Sequence, residues 1–166
     1  MVFAIGEIKS SKRGTRVGKG RKLAAETVNA VGNVDNSDFS DSILNSGSSR
    51  HLVNDVTLIQ GIVICGHEVY MADGESLKLT KHGSVRLAVI ANGEEKTIKL
   101  PDVYLASQLT RHIISYGILE EKGFGLVYNG SSRALVRRSD NAITFDVSMH
   151  TNVLYVQKSV TEARQE

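Results

Sequence analysis

Ser42-Ile43-Leu44-Asn45-Ser46-Gly47-Ser48-Ser49 is the stretch on which the reading of this chain turns. A short apolar run enters a turn of small residues, and Asn45 stands at the head of that turn. Ile43 and Leu44 open a strand. Asn45-Ser46-Gly47 then reverses it, because an Asn side chain can hydrogen-bond backbone two residues on and Gly tolerates sharp turns. Beyond the turn, Leu52, Val53 and Val56 to Ile59 predict a return to extended structure.

Outward from there the same texture repeats. Ile62-Val63-Ile64-Cys65 is an apolar run ending at Gly66, with Cys65 read as a small buried residue. Val69 to Ala72 and Glu75 to Leu79 flank Asp73-Gly74, a pair suited to a hairpin turn. Val85, Leu87 and Val89 alternate with Arg86 and Ala88, and Asn92-Gly93 turns the chain back into Thr97 to Leu100. Pro101 cannot donate to a ladder, so it predicts a strand edge or a bend before Val103-Tyr104-Leu105. Ile113 to Gly117 leads into one predicted helix over Tyr116–Lys122, stopped by Gly123. Phe124–Tyr128 and Arg133–Arg137 form a third hairpin about Asn129-Gly130; Ile143, Phe145 and Val147 alternate, and Val153–Val156 is a last strand. Short strands between turn pairs predict an all-β fold, a small closed or partly open barrel with one short helix.

The chain has 166 residues and is 41% hydrophobic, enough for one domain with a modest core. A lone cysteine, Cys65, leaves neither an intramolecular disulfide nor a multi-cysteine metal site, and His51, His67, His82, His112 and His150 share no ligand spacing. No cofactor or metal is therefore expected. No run reaches membrane-spanning length, and the expected location is cytoplasmic. The net charge of +2 hides an asymmetry: Lys9, Lys12, Arg13, Arg16, Lys19, Arg21 and Lys22 carry seven positive charges without an intervening acid. Subtracting those seven leaves −5 on the remainder. Residues 1–40 are accordingly read as a disordered, flexible basic arm or linker, 41–157 as the barrel domain, and 158–166 as a flexible tail. Such an arm suits weak contact with nucleic-acid phosphates, although no aromatic residue interleaves the cations to stack on bases.

With aspartate at position 45 the opening stretch would read Ile-Leu-Asp-Ser-Gly, the form of an aspartic-protease active-site loop. Other pieces follow in order: Ser46 to Leu52, Met71-Ala72-Asp73-Gly74-Glu75, Leu100 to Leu105 and Ile113 to Leu119. Together, over residues 42–157, they resemble the retropepsin-like protease segment of Copia-type retrotransposon polyproteins. The resemblance implies a homodimeric aspartic endopeptidase that acts on a polyprotein within virus-like particles, each subunit giving one loop. It places Asn45, Ser46 and Gly47 at the catalytic loop and Met71, Ala72, Asp73, Gly74 and Glu75 in a substrate-binding flap. It also makes Ile113, Ile114 and Gly117 the brace beneath the loop. The loop and the terminal strand Val153–Val156 are the expected dimer contacts.

Asn45 departs from that pattern. A carboxamide has no proton to give and is no base at usable pH, so this form is expected to be inactive. Two other readings stand beside the protease: a non-catalytic module that binds a peptide or protein without cutting, and a nucleic-acid-associated remnant acting through the basic arm. An ordinary Asn-Ser-Gly turn in an unrelated barrel would account for the loop alone.

Overall fold

A computed structural model describes residues 42–159. The basic residues from Lys9 to Lys22, and the arm expected over residues 1–40, lie outside the described residues. Ten strands are seen, in chain order β1 (Ser42–Asn45), β2 (His51–Val53), β3 (Ile59–Tyr70), β4 (Ser76–Ala91), β5 (Glu94–Leu105), β6 (His112–Ser115), β7 (Phe124–Asn129), β8 (Ser132–Arg137), β9 (Ala142–His150) and β10 (Val153–Val156). One short helix, α1 (Tyr116–Glu121), follows β6 directly. The all-β expectation holds.

The strands form one sheet in the order β3-β4-β5-β2-β6-β1-β10-β9-β8-β7. The sheet curls back: Ile90 N donates to Gln157 O at 2.8 Å, and a single bridge joins Val89 to Lys158. It stops short of a closed ladder, and β3 and β7 remain as edges. Lys158 and Ser159 stay attached to β4 here, with Ser159 N donating to Ala88 O. The terminal strand β10 is interior, flanked by β1 and β9. Both its backbone edges are used within the chain, so a second copy could meet it only through side chains.

Several short runs of the sequence merge into long strands. β3 crosses Gly66, and β4 carries the chain without a break from Ser76 to Ala91. Residues Val56–Leu58, expected to be extended, form a 3₁₀ turn capped by the Asp55 carboxylate, which accepts from Thr57 N at 2.9 Å. Pro101 sits inside β5, and beside it Asp102 takes a positive φ of 54°. The register shifts between Gly83 and Val85 opposite this point, so the proline is accommodated in a bulge.

β6 is central. It runs parallel to β1 on one side and antiparallel to β2 on the other, although β1 and β2 are joined by a short loop. All four of its residues are buried. Side chains alternate across a strand, so Ile113 and Ile114 enter different clusters. Ile114 joins the main core with Leu44, Val53, Val103 and Phe145, while Ile113 joins a second cluster with Leu52, Val69, Leu77 and Leu79. Adjacent Leu52 and Val53 divide in the same way.

Gly83 lies where β3 bends over β4. A Cβ there would fall 2.4 Å from the Gln60 carbonyl oxygen and 2.6 Å from Ile59 Cγ2. Since the nearer atom is backbone, the strand must shift. Gly83→Ala is expected to lower stability by about 2 kcal/mol through overpacking. The measurement is the urea midpoint, which should fall with an unchanged slope.

Candidate functional site

Parallel pairing of β1 with β6 sets Asn45 beside Ser115 at the ends of both strands. From Asn45 the chain leaves the sheet in a turn, and Gly47 N donates to Asn45 Oδ1 at 2.8 Å. An acceptor at position 45 therefore holds the turn, a role that amide and carboxylate oxygens both fill. Asn45, Ser46 and Gly47 are each half-buried, Ser48 is buried, and Ser49 is exposed.

Ser115 connects the loop to everything beneath it. Its hydroxyl donates to the Ser48 carbonyl and accepts from Ile118 N at 3.2 Å, capping α1. Its backbone N donates to His51 Nδ1 at 2.9 Å. A Cβ at Gly117 would be 3.8 Å from the Ser46 carbonyl oxygen, so the first turn of α1 lies in van der Waals reach of the loop. Ser115→Ala would remove the cap and leave the Ser48 carbonyl without its donor. The expected loss is about 2 kcal/mol, to be read by thermal melting.

His51 is buried, and its Nε2 has no hydrogen-bond partner among the described residues. Burial, assisted by the charge of Lys122 and opposed by Asp102, lowers its pKa from 6.5 to about 4. The ring is therefore neutral near pH 7, with Nδ1 accepting from Ser115. That is a structural duty: it fixes β2 against the end of β6, below the loop.

The expected flap is the turn between β3 and β4. Met71 N donates to Glu75 O at 2.7 Å, Asp73 accepts from Glu75 N, and Gly74 supplies the positive φ of 90°. Ala72 to Glu75 are exposed, while Met71 packs on the second cluster beside Leu52 and Ile113. The hairpin is thus anchored at its base to the strands that carry the loop. The structure brings Asn45, Ser46 and Gly47 together with Ile113, Ile114 and Gly117, and sets residues 71–75 at a separate tip.

Two features were missed in the sequence reading. Ser115 as the hub had a local signal, a serine three residues before Ile118 at the head of a helix. The other is a cluster from four separate segments. The Arg50 guanidinium lies 4.5 Å over the Tyr104 ring, on which His82 stacks at 5.1 Å and which His67 meets edge-on at 5.5 Å. No local period predicts that meeting. Among the described residues no three His, Cys, Asp or Glu side chains gather to hold a metal ion, and no helix is long and apolar enough to cross a membrane. Chemically, the loop offers an amide, hydroxyls and backbone donors, but no carboxylate.

Residues 42–124 match the family described as Pol polyprotein, beta-barrel domain. That span runs from the first residue of β1 through α1 to the start of β7, and so contains the loop, the hairpin tip and the brace. No curated protein and no solved structure matches the chain.

Proposed function

The chain belongs to the Pol polyprotein β-barrel domain family, and from that premise we propose that it is a retropepsin-like aspartic endopeptidase domain of a Copia-type retrotransposon polyprotein, with Asn45 in place of the catalytic aspartate. One observation carries this reading: a loop with an acceptor at its head, joined through Ser48 and Ser115 to an interior strand and a capped helix. In that arrangement position 45 is held in place by the Gly47 amide, and on this reading it lacks the carboxylate. Two such loops meeting across a twofold axis would set two position-45 side chains together. As carboxylates they would share a proton, one activating water and the other polarising the scissile carbonyl. As amides they do neither, and the chain holds a polypeptide without cutting it. Dimerisation, a polyprotein ligand and residence inside cytoplasmic particles belong to the same proposal.

The amide also favours a second reading, a peptide-binding module that keeps the loop without chemistry. Peptide cleavage by the chain and by Asn45→Asp, side by side, separates the two.

A further inference from the structure

We infer that Arg50, with His67 and His82 around Tyr104, forms a recognition site for the carboxylate of an acidic side chain in a bound polypeptide; the inference rests on the reading that a polypeptide lies against the Asn45 loop. Arg50 comes three residues after Gly47, and its backbone is tied into the loop through Ser48. The carbon of its guanidinium lies over the Tyr104 ring, 4.5 Å from the centroid. A cation–π contact of this kind leaves the N–H donors unspent. Nε is buried and has no hydrogen-bond partner among the described residues. The two ion pairs among the described residues are Arg137–Asp140 and Arg138–Glu120, neither of which involves Arg50. With Nε enclosed, a carboxylate approaching in the guanidinium plane would meet the two terminal amino groups end-on, in fork geometry.

The imidazoles add to this. His82 pairs across strands with Tyr104 and stacks on it, and His67 meets the same ring from β3. His67 is exposed and His82 half-buried. The chemistry favours an acidic peptide over nucleic acid. Tyr104 already contacts three side chains, so it is a poor platform for a base, and one permanent cation matches a single carboxylate better than a polyanionic backbone.

The test uses the whole chain and two blocked tripeptides, Ala-Glu-Ala and Ala-Gln-Ala. NMR follows the Arg50 Nε–H, whose burial slows exchange with water, and the ring signals of His67 and His82. The glutamate peptide should shift all three saturably and bind about tenfold more tightly than the glutamine peptide. Arg50→Lys keeps the charge but loses the fork, and should abolish about tenfold of that preference. His82→Phe keeps the stack and removes the ring nitrogens, and should reduce the preference by a smaller factor. Equal binding of the two peptides, or a preference unchanged by Arg50→Lys in a folded protein, overturns the proposal. So does an oligothymidylate that shifts the same signals more strongly than the glutamate peptide. Should Arg50→Lys fail to fold, His82→Phe decides: an undiminished preference overturns the site. None of these measurements needs a carboxylate at position 45 or a dimer, so the site can fail while Asn45→Asp cuts peptides, and the reverse.

Discussion

On the proposed reading, Asn45→Asp is expected to give an endopeptidase active on the acid side of neutrality, where the present chain should cut no peptide. The fold should tolerate the change, because Asp and Asn have nearly the same shape and Gly47 N needs only an acceptor at position 45. The effect on chemistry is large. Two like carboxylates held close in a dimer cannot both ionise freely, so the pair titrates in two steps with one pKa raised. Between those steps a single shared proton gives one base and one acid, and general acid–base catalysis of this kind contributes roughly 10²–10⁴-fold. Hydrolysis of a diverse peptide library should appear between about pH 4 and 7, around the carboxylate range, and fade once both groups ionise. Sedimentation should show the active species to be a dimer. If the variant dimerises but cuts nothing anywhere in that range, more than one residue separates this chain from catalysis, and the peptide-binding reading takes first place.

Acid should destabilise the protein through His51. In the folded chain this histidine has its pKa lowered to about 4, while 6.5 is its ordinary value. The unfolded chain therefore takes up the proton first as pH falls, and unfolding is favoured. Stability from this group is fully present above about pH 6.5 and drains away until about pH 4, where the folded form protonates as well. Over that window the loss should approach about 3 kcal/mol. Urea denaturation at stepped pH measures it. His51→Gln keeps an acceptor for Ser115 N without a titrating ring, and should flatten the curve between pH 4 and 6.5. An equally steep curve in that variant would assign the acid sensitivity to other groups. The two effects meet in Asn45→Asp: carboxylate ionisation sets its upper pH limit, and at the lower one loss of His51 stability adds to protonation of both carboxylates. Adding His51→Gln should therefore extend activity to lower pH.

Local features were legible in the sequence because short-range sterics and hydrogen bonds impose them. Asn92-Gly93 forms its turn with both residues at positive φ, 53° and 78°, as that pair permits. Gly123 ends α1 at φ 89°, and Asn45-Ser46-Gly47 makes a side-chain-to-backbone turn. The turn between β9 and β10 was not legible, because Thr151 and Asn152 take positive φ without a glycine to signal it. Only the tertiary structure decided which strands are neighbours. The insertion of β6 between β1 and β2, the interior place of β10, and the bond from Ser115 to His51 across 64 residues all follow from burying two apolar faces at once. Alternating Leu52-Val53 and Ile113-Ile114 supply two faces each, but no local period says which partners will cover them. The same holds for Arg50, Tyr104, His67 and His82, which the side-by-side order of β3, β4, β5 and β2 brings to one ring.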